Sequence, residues 1–65
     1  NPVQNQLNMQ TNLKYRYYEI IDLNGKLLQS GPMQSQIDVS ILSPGLYYLR
    51  VQNKDAVGKT LFIKQ

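Results

Sequence analysis

Residues 15–30 read YRYYEIIDLNGKLLQS, and this stretch decides the fold. Its first nine residues are dense in aromatic and β-branched side chains, the types that suit a pleated, half-buried surface. Asn24-Gly25 then breaks the run, and Lys26, Leu27 and Leu28 begin a return. A strong strand, Asn-Gly and a second short run together form the best short-range hairpin signal in a sequence. Gly25 is suited to the turn because, lacking a Cβ, it reaches positive φ at little steric cost. Two turns satisfy the pattern, a two-residue type I′ turn or a type I turn followed by a glycine bulge.

Working outward, period-two alternation continues on both sides. Val3, Asn5, Leu7, Met9 and Thr11 alternate with Gln4, Gln6, Asn8 and Gln10, which predicts one half-buried strand followed by a loop at residues 12–14. Gly31-Pro32 reads as punctuation, and residues 35–40 as a short strand with Ile37 and Val39 on one face. Ser43-Pro44-Gly45 carries the residues of a type II turn, proline fixing the first central φ and glycine accepting a positive second one. In residues 46–52, LYYLRVQ, Tyr47, Leu49 and Val51 alternate with Leu46, Tyr48 and Arg50. Asn53-Lys54-Asp55 is a turn into residues 56–58, and residues 59–64, KTLFIK, form the last strand. No stretch spaces apolar residues for a helix over two turns. The expectation is an all-β protein, a small antiparallel sandwich or barrel of six to seven strands. Its expected core is Leu7, Met9, Tyr18, Ile20, Leu28, Ile37, Val39, Leu42, Tyr47, Leu49, Val51, Leu61 and Ile63.

The inventory restricts function. The chain has 65 residues, of which 42% are apolar, enough for one domain over residues 1–65 with a thin core. Chains of this size bury only about 60% of the surface their unfolded forms expose. There is no Cys and no His, so disulfides, zinc knuckles, thiol nucleophiles and histidine bases are excluded. The net charge is +3, but Lys14, Arg16, Lys26, Arg50, Lys54, Lys59 and Lys64 are scattered, which argues against a nucleic-acid partner. No apolar run approaches the ~18 residues of a membrane span, so no direct membrane insertion is expected. The start at Asn1-Pro2 carries no signal peptide and reads as a fragment boundary.

Four carboxylates, Glu19, Asp22, Asp38 and Asp55, are the candidate acids and bases. Asp22 stands where its side chain can bond the backbone of the Asn24-Gly25 turn, and Asp38 points away from Ile37 and Val39. With no histidine to activate a serine, no catalytic residue, metal ligand or cofactor-binding residue is assigned. Of the five tyrosines, Tyr18 and Tyr47 are expected in the core, whereas Tyr15 and Tyr17 share the opposite face with Tyr48 also outward. These three are candidates for a stacking or contact surface. The last strand, if it lies at a sheet edge, offers unpaired backbone groups that a receptor could read by strand addition.

Four pieces in order are shared with a known family: Asn1-Pro2-Val3 with Leu7; the hairpin YEIIDLNGKLL at residues 18–28; IDVS followed by LSPGLYYLRV at residues 37–51; and Lys59 followed by Phe62-Ile63-Lys64. Over essentially its whole length the chain resembles the type A C-terminal sorting domain of the type IX secretion system of Bacteroidetes. That resemblance implies an immunoglobulin-like β-sandwich without catalytic activity, carried by a passenger domain N-terminal to it. It implies delivery through the outer-membrane translocon with the help of shuttle proteins, by way of the periplasm, to the cell surface or medium. A sortase-like cysteine peptidase is a further implied partner, and any cleavage site for it lies upstream of Asn1. The implied recognition residues are Gly45, Tyr47 and the terminal Leu61, Phe62, Ile63, Lys64 and Gln65, with Asn24, Gly25, Pro44 and Gly45 forming turns. A homodimer through an exposed edge stays open. The alternative reading is an immunoglobulin-like or fibronectin-like accessory module that binds carbohydrate or a protein through Tyr15, Tyr17 and Tyr48.

Overall fold

A computed structural model describes residues 2–9 and 15–65, with residues 2 and 3 as backbone. Seven strands form over these residues: β1 (Pro2–Val3), β2 (Gln6–Asn8), β3 (Tyr17–Ile21), β4 (Leu27–Pro32), β5 (Gln36–Asp38), β6 (Gly45–Gln52) and β7 (Val57–Lys64). No helix occurs among the described residues. Five strands make one sheet in the order β1-β7-β6-β3-β4, and β2 and β5 make a second. Every pairing is antiparallel except β1 with β7, which run parallel. The fold is the expected small β-sandwich.

The core lies between the sheets. Tyr18 and Ile20 of β3, Tyr47, Leu49 and Val51 of β6 and Phe62 of β7 pack against Leu7 of β2, Ile37 of β5 and Val39. Ile20, Ile37 and Val39 lie at its centre and are fully buried. Met9, Tyr15, Met33 and Leu42 pack around the margin. Gln29 ties the layers together, its Nε2 donating to the Tyr18 hydroxyl at 3.1 Å and to the Asp38 carbonyl at 2.8 Å.

The central hairpin takes the second of its two candidate turns. Gly25 N–H donates to the Asp22 carbonyl at 3.0 Å and Asp22 N–H to the Lys26 carbonyl at 3.0 Å. Only Gly25 has positive φ there, 89°, whereas a type I′ turn needs it at both central residues. Asp22 Oδ1 accepts from the N–H groups of Asn24 and Lys26, both at 2.9 Å, so the carboxylate serves the turn. A bulge beyond Ile20 leaves Leu28 outside the register, which is why it is exposed and not in the core.

Several expected boundaries move. The single N-terminal strand is two, because the chain leaves the large sheet after Val3 and enters the small one at Gln6. Asn5 marks the crossing, its carbonyl accepting from Val39 N–H at 2.9 Å. Expected positions 10–14, Thr11 among them, lie outside the described residues. Gly31-Pro32 does not interrupt β4 but ends it, since a proline on an edge strand removes no inter-strand bond. The turn expected at Pro44-Gly45 closes earlier, through Leu42 N–H to the Val39 carbonyl at 3.0 Å. Gly45 instead opens β6 at a φ of 154°, far from the value near +80° that a type II turn requires. The Asn53 turn forms as expected, with Asn53 Oδ1 accepting from Asp55 N–H at 2.7 Å and Ala56 N–H at 2.9 Å.

Candidate functional site

The last strand is set by its register with β6. Cross-strand partners share a face, and the pairs are Gly45 with Lys64, Leu46 with Ile63, Tyr47 with Phe62 and Tyr48 with Leu61. Phe62 is 4% exposed and Lys64 6%, whereas Leu61 is 48% and Ile63 44% exposed. Leu61 and Ile63, expected in the core, therefore lie on the outer face, and Phe62 takes the inner place. The reason lies along the whole strand. Its inward positions include Gly58, where an added Cβ would come within 3.0 Å of the Tyr15 hydroxyl and 3.2 Å of Val51 Cγ2. An added Cβ would press tightly on both side chains, so glycine suits this inward position, which shares its face with Phe62 and Lys64.

The implied recognition residues thus fall into two groups. Inside, Tyr47 and Phe62 stack as a tilted pair with ring centroids 5.7 Å apart and planes at 31°. The Tyr47 hydroxyl donates to the Ser43 carbonyl at 2.6 Å and anchors the loop that leads into Gly45. Lys64 Nζ donates to the Gln65 carbonyl at 3.0 Å, which gives this buried ammonium a local acceptor. Outside, Leu61, Ile63 and Gln65 are exposed. On the other flank of β7, β1 pairs only with Ile63 and Lys64.

The outer face of the large sheet is organised in rows. One row runs Ser30, Glu19, Arg50, Lys59 across β4, β3, β6 and β7. Arg50 Nε donates to Glu19 Oε1 at 2.8 Å, joining the middle of that row as an ion pair. The next row is Leu27, Ile21, Tyr48, Leu61, and beyond it stand Leu46 and Ile63. Ile21 is buried although it faces away from the core, because its strand neighbours Leu27 and Tyr48 flank it. Lys59 bridges the two rows, its Nζ 4.3 Å from the centroid of the Tyr48 ring. An apolar half and a polar half therefore divide one sheet face. Alternation could have found this face from Leu46, Tyr48 and Ile21, but it gave no sign that β7 would add Leu61 and Ile63.

Nothing in the described residues assembles an active site. Glu19 is engaged by Arg50, Asp22 by the hairpin turn, and Asp38 by Ser40 N–H at 2.9 Å. That backbone bond, aided by the Ser40 hydroxyl, holds the Asp38 carboxyl below its ordinary value. Gln4, Asn5 and Gln6 share a shallow, open depression with Asp38 and Ser40 that brings no second charged group to the carboxylate. No group of three carboxylates able to hold a metal occurs among the described residues. The tyrosines do not make a platform. Tyr15 packs against the core margin, not beside Tyr17, because the strand alternation begins only at Tyr17. Tyr17 pairs with Gln52 and Tyr48 with Ile21, so four residue steps along β3, about 13 Å of strand, separate the two outward rings.

A sandwich whose last strand divides into buried and exposed residues agrees with the resemblance carried by the sequence. The model of the secretion system C-terminal sorting domain matches residues 1–65. The chain belongs to that family. No curated protein and no solved structure matches it. As a type IX sorting domain it is a member of a family of sorting signals, not of a catalytic one. A sorting domain serves export to the cell surface or medium, and its counterparts are the secretion machinery and a passenger N-terminal to it.

Proposed function

We propose that this domain is a non-catalytic C-terminal signal that targets its passenger through the type IX outer-membrane translocon. The match of the sorting-domain family over residues 1–65 carries this reading. The passenger crosses the periplasm already folded, with the domain as a compact tag that needs no disulfide to stay folded. Shuttle proteins hand the tag to the translocon, and a sortase-like cysteine peptidase is a further partner.

The recognition set divides by burial. Leu61, Ile63 and Gln65 are the terminal residues a receptor can touch, while Tyr47, Phe62 and Lys64 hold the strand in the phase that presents them. Gly45 sits opposite Lys64 and starts β6. The test is a reporter enzyme carrying a signal peptide at its N-terminus and this domain at its C-terminus, expressed in a bacterium with the system. The reporter should reach the surface or medium, and removing residues 61–65 should leave it in the periplasm. Equal delivery with and without the domain would refute the proposal.

A further inference from the structure

Resting on the reading of this domain as a tag with a passenger ahead of it, we infer that the chain arriving at Pro2 continues β1 as a parallel strand along the open edge of β7. β1 covers β7 only at Ile63 and Lys64, and among the described residues nothing pairs with the outer flank of residues 57–62. The hydrogen bonds show which groups lie open there. The Gln52 carbonyl accepts from Arg16 N–H at 3.0 Å on the β3 side, and Asn53 N–H donates to the Ala56 carbonyl at 3.0 Å on the β7 side. Backbone groups alternate sides along an antiparallel strand, so Val51, Leu49 and Tyr47 turn theirs toward β7, where Gly58, Thr60 and Phe62 face them. Val57, Lys59, Leu61 and Ile63 therefore aim their N–H and C=O groups away from β6. Ile63 meets β1 on that side, and the other three stand at an edge of the kind that proteins cover or blunt.

Continuity names the occupant. Pro2 pairs with Ile63 and Val3 with Lys64 in parallel, so each step upstream is one step back along β7. The residue directly ahead of Asn1 then falls opposite Leu61, the third ahead opposite Lys59 and the fifth opposite Val57, the first residue of the strand. Pro2 fits this arrangement. At each level of a parallel pair one partner turns its backbone to the other strand; here it is Ile63, so the missing N–H of Pro2 leaves no bond unmade. The upstream strand has no loop to close, because its end is already held, and a tethered segment acts at an effective concentration of about a millimolar or more. A second copy fits less well, since an antiparallel pairing centred on the open stretch sets Lys59 against Lys59, and like charges directly opposite are destabilising. A receptor strand enters only by displacing the upstream chain. When that chain is drawn away, the two pairs at Ile63 and Lys64 are what remains of the ladder.

The experiment is disulfide trapping in the purified passenger-linked protein, with a cysteine in place of the residue directly ahead of Asn1. The domain has no cysteine of its own. The upstream cysteine is combined with Leu61→Cys or, as a control, with Val57→Cys, and the bridged peptides are identified by mass spectrometry. Facing residues of neighbouring strands lie about 4.8 Å apart, inside the Cα window of about 4.4–6.8 Å for a disulfide, whereas Val57 is four residue steps, about 13 Å, further along. The expected result, in a glutathione buffer, is an intramolecular disulfide that forms about tenfold faster or more with Leu61→Cys than with Val57→Cys. A proline at the second residue ahead of Asn1, which must turn its backbone to β7, should slow that disulfide by about tenfold, the factor that one hydrogen bond supplies. A proline at the third, which faces away as Pro2 does, should leave the rate unchanged. Melting temperatures of the variants check that the fold is kept. Equal rates at the two positions, disulfides only between molecules, or indifference to the proline at the second position overturn the inference. Export of the unaltered protein is scored separately, so the upstream strand can fail while the sorting reading stands.

Discussion

Replacing Phe62 and Ile63 in turn by alanine tests the phase of the last strand directly. Phe62 is 4% exposed and stacked on Tyr47, so its truncation opens a cavity and costs about 3–5 kcal/mol. Ile63 is 44% exposed, and full burial of an isoleucine contributes only about 1.5–3 kcal/mol, so its truncation costs about 1 kcal/mol. A chain of 65 residues has a total stability of about 3–10 kcal/mol. Phe62→Ala therefore removes much or all of the stability, whereas Ile63→Ala leaves a folded domain. With a urea slope of about 1 kcal/mol per molar for so small a protein, the two midpoints should differ by about 2 M or more. Far-ultraviolet circular dichroism against urea reads both variants, with Phe62→Leu as an intermediate that keeps most of the volume. An Ile63→Ala midpoint as low as that of Phe62→Ala, or lower, would show that the strand faces the other way.

Gly25→Ala should cost about 1–2 kcal/mol, read as a lower melting temperature. Apart from its chain neighbours no atom lies within 4 Å of the added Cβ, so the cost is one of backbone conformation, and D-alanine at the same position should restore stability. Tyr47→Phe removes the 2.6 Å bond to the Ser43 carbonyl and should cost about 0.5–1.5 kcal/mol in chemical denaturation while leaving the Phe62 contact in place. Asp38 is held below its ordinary value of 3.8 by Ser40, so its contribution is fully present above that value and is lost as pH falls through the lowered one. Comparing the acid limb of the stability curve of Asp38→Asn with the parent should show a shallower fall; identical limbs would remove Asp38 from the account.

Most of the sandwich was legible because strands with one face in the core obey a period of two. Tyr18 and Ile20 in β3 and Tyr47, Leu49 and Val51 in β6 were readable for that reason, and all five are buried. Residues 61–63 defeated the pattern because Leu61, Phe62 and Ile63 are all apolar, and alternation cannot choose between two apolar faces. The apolar balance favoured the set of Val57, Leu61 and Ile63, but the set that faces inward is the one containing Gly58, where Tyr15 and Val51 leave little room for a Cβ. Packing across strands decided what local pattern left open. Leu28 was misplaced by a bulge, a single-residue slip that hydrophobicity does not encode. The division of the first strand had a similar source, since Val3 and Leu7 have the right parity for one strand yet serve different sheets.

The parallel pairing of β1 with β7 has a mechanical consequence. Tension applied at Pro2 and at Lys64 pulls these neighbouring strands along each other, because Pro2 lies at the start of one and Lys64 at the end of the other. Their inter-strand bonds are then loaded together in shear, whereas a hairpin pulled at its open end peels one bond at a time. The overlap is two residues, Pro2 with Ile63 and Val3 with Lys64, so the clamp is short and gives way in one step. Once it slips, the chain ahead of β2 is free to extend while the pairing of β7 with β6 still stands. A pull on the cargo side thus loads β7 at Ile63 and Lys64 through β1 first, and the slip of β1 relieves it.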